Sequence, residues 1–182
     1  MAKTLLEGGV IIYPTDSVYA FGCSIKSPKA MERLLGLRGD RPSQLTIACE
    51  DLSVAAEYAK IDNATFRVLK RNLPGPFTFV LNASSRVPDK ALARRKTLGI
   101  RIPANPVAMA IIRALGCPMI TSSVKNEEHE YTTDPELIDE IYSSRVDFIV
   151  DGGYGSTMAT ALVDMTDGEP QILREGSKEL IY

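Results

Sequence analysis

The chain has 182 residues, 45% hydrophobic and 24% charged, with a formal net charge of −2. Those values exclude whole-chain disorder and a globally basic nucleic-acid binder, and they suit one domain, residues 1–182, burying about 70% of the surface its unfolded form would expose. The longest apolar runs, such as Gly9-Val10-Ile11-Ile12-Tyr13, are far too short to span a bilayer, and the N-terminus lacks a cleavable signal pattern, so the expectation is a cytoplasmic protein without a membrane partner.

In chain order, Gly9–Tyr13 and Val18–Cys23 read as strands joined closely enough for a hairpin, with hydroxyls and a carboxylate, Thr15, Asp16 and Ser17, at the turn. Asp and Ser favour turns on their own account, so this segment reads equally as turn chemistry or as a contact for a small polar substrate. Ser27-Pro28 opens a helix, with a capping side chain before a proline at the first helical position. The loop Leu37-Arg38-Gly39-Asp40-Arg41-Pro42 follows it; its two arginines suit phosphate oxygens, although by itself a solvated loop is the favoured reading. Leu45–Cys49 is the next strand, and Asp62 caps a helix over 63–71 that stops at Leu73-Pro74-Gly75. Gly75-Pro76 then leads rigidly into the strand Phe77–Asn82, which carries Thr78.

Arg94-Arg95-Lys96 is a compact basic run before the strand Leu98–Ile102. Arg101 stands at that strand's end, just before the helix that Asn105-Pro106 opens and Gly116 closes, a good position for an anion. Met119–Ser122 is a strand ending in the hydroxyl run Thr121-Ser122-Ser123, and Asp134-Pro135 opens a further helix. Asp147–Val150, Ala161–Asp164 and Pro170–Arg174 complete the strands, the last two spaced as a hairpin. Strands outnumber helices about nine to five, which predicts a mixed sheet with flanking helices rather than strict βαβ alternation.

Several chemistries lack support. No P-loop occurs, and Gly152-Gly153-Tyr154-Gly155 is not a dinucleotide fingerprint. The single histidine, His129, lies among glutamates in a polar stretch, a poor place for the base of a serine triad. Cys23, Cys49 and Cys117 are widely spaced in apolar stretches, which reads as reduced core thiols rather than a zinc or disulfide framework. Hydroxyls and arginines beside turns remain, and they suit anion binding better than nucleophilic catalysis.

The order of these segments is more specific than any one of them. Pro14-Thr15-Asp16, the Arg38–Arg41 loop, Pro74-Gly75-Pro76-Phe77-Thr78, Arg101-Ile102-Pro103, Thr121-Ser122-Ser123 and Leu173-Arg174-Glu175-Gly176 together resemble the YrdC/YciO family over nearly the whole chain. The resemblance implies an α/β fold: a twisted mixed sheet, part antiparallel and part parallel, with flanking helices and a deep positive cavity. It implies threonylcarbamoyl-adenylate synthase chemistry, in which threonine, bicarbonate and ATP give the adenylate and pyrophosphate in service of tRNA modification. Mg²⁺ would come with the nucleotide, and no structural metal is implied. It also implies an alternative, the binding of ATP, AMP or RNA (double-stranded RNA or tRNA) without adenylation. For that alternative Arg94-Arg95-Lys96 is the candidate backbone contact, against a solvated loop.

Carried onto this chain, the resemblance assigns Arg38, Arg41 and Ser123 to catalysis. It assigns Thr15, Tyr19, Thr78, Arg101, Asn105, Thr121, Lys125, Asn126, Thr160 and Arg174 to nucleotide or substrate binding. The synthases' Lys-x-Arg is altered here, with Arg38 at the lysine's place and Asp40 or Arg41 at the arginine's, in a loop one residue shorter. Their Ser-x-Asn becomes Ser123-Val124-Lys125 with Asn126 one step late, the histidine after Arg-x-Pro becomes Asn105, and Ala161 replaces one hydroxyl of a Ser-Thr pair. These departures, with Thr133–Glu136, resemble the YciO branch more than the synthases.

Overall fold

The computed structural model describes residues 1–39, 45–92, 95–125 and 132–182. Its nine strands are β1 (Val10–Tyr13), β2 (Ala20–Ser24), β3 (Thr46–Ala48), β4 (Phe77–Asn82), β5 (Thr97–Arg101), β6 (Met119–Ser123), β7 (Phe148–Ile149), β8 (Ala161–Asp164) and β9 (Gln171–Arg174). They form one mixed sheet in the order β7-β1-β2-β6-β3-β5-β4-β8-β9. β1 with β2 and β8 with β9 are antiparallel neighbours, as the two short connections predict. β3 runs parallel to β5 and β4 parallel to β8.

The helices are α1 (Ala2–Leu6), α2 (Pro28–Arg38), α3 (Leu52–Tyr58), α4 (Asn63–Asn72), α5 (Asp89–Leu92), α6 (Pro106–Leu115) and α7 (Pro135–Tyr142). Four start where the capping residues stand: Ser27, Asp62, Asn105 and Asp134 each accept a hydrogen bond from a backbone N–H of the first turn. Gly39 and Gly116 end α2 and α6 at φ of 70° and 68°, where any other residue is strained. The ratio of nine strands to five helices is corrected to nine to seven among the described residues. α1 has no capping side chain and α5 is a single turn. α3 did carry a signal, since Asp51 accepts from Val54 N at 2.8 Å.

Alternation along the strands separates two unlike faces. One is apolar: Val10, Ile12, Phe21, Cys23, Ile47, Phe79, Leu81, Leu98, Ile100 and Ile120 pack with Met31 and Leu34 of α2, Leu69 of α4 and Ile138 of α7. On the other, α1 and α6 cover Ile11, Tyr13, Ala20, Ala48 and Met119 through Leu5, Ala108, Ile111, Ile112 and Leu115. Farther along that second face stand the hydroxyls of Thr46, Thr78 and Thr121. Cys23 and Cys49 are buried free thiols, while Cys117 is half-buried and also free. Burial pushes the Cys23 and Cys49 thiols up to about 12. Among the described residues no helix is long and apolar enough to cross a membrane.

Candidate functional site: a hydroxyl-lined sheet face with a buried arginine

Four central strands place a row of small residues side by side on the second face. Gly22 of β2 pairs with Thr121 of β6, Thr121 with Thr46 of β3, and Thr46 with Gly99 of β5. The two glycines keep this row low. A Cβ on Gly99 would stand 2.6 Å from Thr46 Oγ1 and 2.9 Å from Thr78 Cγ2, and one on Gly22 would meet the Tyr13 ring at 2.8 Å. Tyr13 lies across Gly22 and donates its hydroxyl to Thr121 Oγ1 at 2.9 Å, while Thr121 donates to Phe21 O at 3.0 Å. Burial raises the Tyr13 phenol above its ordinary value, against the lowering effect of Arg101 and of the Thr121 hydrogen bond.

Arg101 closes β5 beside Ala48, two residues from Gly99 and therefore on the same face. Its side chain is 7% exposed and forms an ion pair with Asp16 of the β1–β2 turn. Nη2 also reaches Ser17 Oγ at 3.5 Å, and Asp16 Oδ2 accepts from Ala104 N at 3.0 Å, just before α6. The turn is thereby tied to the start of α6 through one carboxylate. Arg101 Nε is buried and has no hydrogen-bond partner among the described residues. On β4, Thr78 Oγ1 lies 2.8 Å from Thr160 Oγ1, and both residues are buried. Arg174 donates from Nε and Nη2 to the Thr160 carbonyl at 3.1 and 2.9 Å. Where the chain leaves Arg174 it passes so close to Ala161 that a Cβ on Gly176 would lie 2.3 Å from Ala161 N.

Of the residues expected at a site, Thr78, Arg101, Thr121, Thr160 and, by alternation along β6, Ser123 share this face, with Arg174 bracing Thr160 from the edge. The others have local partners or lie elsewhere, and Thr15 Oγ1 is 3.0 Å from Ser17 Oγ. Thr15 closes its own turn, donating to Val18 O at 2.8 Å and accepting from Ser17 N at 3.0 Å. Tyr19 belongs to the apolar core, where its hydroxyl donates to Gly153 O at 2.7 Å and accepts from Gly152 N at 3.0 Å. Asn105 Oδ1 caps α6 through Val107 N and Ala108 N. Lys125 is exposed one residue past Val124, and Arg38 is buried in the last turn of α2. Arg41 and Asn126 lie outside the described residues, as do Asp40, Arg94 and His129. Tyr13, Asp16, Ser17 and Thr46 join the site beyond the residues assigned to it. Thr46 left a trace, as a lone hydroxyl in the apolar stretch Leu45–Cys49 that pairing with Thr121 turns inward.

The class is an α/β protein whose mixed sheet keeps one face for its core and part of the other for polar groups. A family model for Sua5, YciO and YrdC domains, described as telomere recombination, matches residues 3–176, and the chain belongs to that family. The uncharacterised protein YciO of Escherichia coli is 44% identical over 93% of this chain and 84% of its own. The crystal structure of E. coli YciO superposes with a TM-score of 0.92 over 98% of this chain and 88% of that one. A threonylcarbamoyl-AMP synthase of Halorhodospira halophila is 32% identical over 85% of this chain and 82% of its own. P. abyssi Sua5, solved as a complex with L-threonine, matches at a TM-score of 0.88 and 27% identity over 96% of this chain and 52% of that one.

Proposed function

We propose that the hydroxyl-lined face binds a nucleotide and a small acid, and that the protein performs adenylation of the threonylcarbamoyl-adenylate synthase type. The observation that carries the reading is the row Gly22, Thr121, Thr46 and Gly99 ending beside the buried Arg101. It offers short hydroxyls beside a buried guanidinium, groups suited to positioning an oxyanion. In that reaction the amine of threonine adds to bicarbonate, and water leaves as the carbamate forms. A carbamate oxygen then bonds to the α-phosphorus of ATP as the bond to pyrophosphate breaks. Mg²⁺ would accompany the phosphates; Ser123 on this face is proposed to meet the transferring group, and Arg38 at the end of α2, with Arg41 three residues later in sequence, to supply phosphate charge. The family relationship to threonylcarbamoyl-AMP synthases supports the reading.

A second reading, a nucleotide or RNA binder without adenylation, is favoured by one observation: Asp16 already compensates the charge of Arg101. One experiment separates the two. Pyrophosphate release is measured with ATP, threonine and bicarbonate together, and again with each omitted. Release that needs all three is the expected result. Nucleotide binding without release under any condition transfers the assignment to the second reading.

A further inference from the structure

Arg101 and Asp16 raise a question of charge that the family relationship leaves open. Arg101 is 6% exposed, and its Nε is buried without an acceptor among the described residues. A buried donor left unmade is costly, and Arg101 shares its face with Thr46 and Gly99 of the hydroxyl row. An oxygen from a ligand on this face would satisfy this donor. The same planar guanidinium binds Asp16 through Nη2, so any oxygen accepting from Nε stands beside the Asp16 carboxylate. That carboxylate is not at liberty to withdraw, because its second oxygen holds Ala104 N at 3.0 Å.

We propose that Asp16 makes the Arg101 subsite selective for a planar, singly charged oxyanion, a carboxylate or carbamate, and turns phosphate groups away from it. The inference rests on the reading above only for the face on which ligands bind. Asp16 and Arg101 together are electrically neutral, so Arg101 offers an incoming anion directional N–H groups rather than net charge. A carboxylate or carbamate brings one negative charge. A terminal phosphate brings about two, and Coulomb repulsion from Asp16 rises in proportion. The phosphates of a nucleotide therefore lie elsewhere along the face, and Arg101 is assigned to the acid substrate instead of the nucleotide. Asp16 is the specificity-determining residue.

The test is competition calorimetry on the full chain without ATP, using L-threonine and acetate as carboxylate probes and sodium pyrophosphate as competitor. For wild type the expected result is carboxylate binding that pyrophosphate does not displace. Asp16→Asn retains an oxygen for Ala104 N but removes the charge, and should improve competition by pyrophosphate at least tenfold. Arg101→Ala should weaken carboxylate binding at least tenfold. Pyrophosphate that displaces the carboxylate from wild type as well as the carboxylate binds overturns the proposal, as does a carboxylate affinity indifferent to Arg101→Ala, or no carboxylate binding at all. Should Asp16→Asn fail to fold, the wild-type competition decides alone. Pyrophosphate release from ATP is independent of this outcome: its absence with competition as expected removes the adenylation reading only, and its presence with competition reversed removes the charge-selection proposal only.

Discussion

The two faces of the central strands are one residue apart in sequence and chemically opposite. On β5, Leu98 and Ile100 enter the apolar core, while Gly99 and Arg101 between and beyond them turn to the hydroxyl face. On β4, Phe77, Phe79 and Leu81 alternate in the same way with Thr78. The apolar face is filled by helices, so its side chains contribute packing and transfer free energy. The opposite face sets short hydroxyl side chains closely beside glycines, so its side chains are chosen for what they leave out. Substitutions at adjacent positions should therefore fail in different ways.

The largest loss of stability belongs to the packed face. Phe79 is fully buried and stacks with Phe77 at a centroid distance of 6.0 Å. Phe79→Ala should cost about 3–5 kcal/mol in urea unfolding, the range for truncating a buried aromatic. Any site affinity that survives in the folded fraction should be little changed. A cost below about 1 kcal/mol would show that this face is not the one that holds the sheet together.

Gly99→Val sharpens the contrast. Its Cβ would begin 2.6 Å from Thr46 Oγ1 and 2.9 Å from Thr78 Cγ2, so these side chains must give way and the row fills. The expected cost in stability is about 1–3 kcal/mol, typical of overpacking. The diagnostic effect is on ligands. Binding of ATP or threonine should fall at least tenfold, while thermal unfolding stays cooperative. Unaltered affinity in a folded Gly99→Val protein would move the site off this row.

The two faces were not equally legible in the sequence. All nine strands were marked by short apolar, β-branched runs, and four helices by a capping side chain, because both signals are local. The hydroxyl face depends on register, which no local signal carries. Thr46, Thr121 and Gly99 become neighbours only because β3 pairs antiparallel with β6 and parallel with β5. The Asp16–Arg101 pair joins residues 85 positions apart, so Arg101 read as a cation awaiting phosphate and its counter-charge read as a turn residue. Thr15, Tyr19 and Asn105 have local partners that only the fold reveals: a turn, the 152–153 backbone and a helix start.

Where β1 meets β7 at one edge of the sheet, a smaller effect is expected. Asp147 takes the Val10 N–H at 2.7 Å and the Arg33 guanidinium at 2.6 Å, while its own N–H donates to Val10 O at 2.8 Å. Burial works to raise its pKa, but the Val10 and Arg33 contacts outweigh it, and the carboxyl is held below its ordinary value of 3.8. A depressed acid stabilises the fold at pH above its unfolded value and loses that contribution as pH falls through the folded one. Asp147→Asn should cost about 1 kcal/mol at pH 6, discounted because the side chain is 37% exposed. The difference between variant and wild type should shrink below pH 4. A difference that stays constant from pH 6 to pH 2.5 would assign the effect to shape rather than charge.

The smallest effect tests where the cations matter. Arg95 and Arg101 stand six positions apart, the first exposed and the second buried. Solvent competes for an exposed guanidinium and salt screens it, so Arg95→Ala should change stability by less than about 0.5 kcal/mol. It should change threonine affinity by less than about twofold, against at least tenfold for Arg101→Ala. RNA provides the complementary measurement. If the run at Arg95 and Lys96 meets a phosphodiester backbone, Arg95→Ala lowers RNA affinity in 50 mM salt and flattens its salt dependence by about one unit of slope, since one fewer counterion is released. Arg101→Ala should leave that slope alone, because a buried arginine paired with Asp16 displaces no counterion from a nucleic acid. Equal effects of the two substitutions on threonine would detach the small-acid site from the buried pair. An altered RNA slope on Arg101→Ala would instead bring the hydroxyl face and the RNA surface together as one.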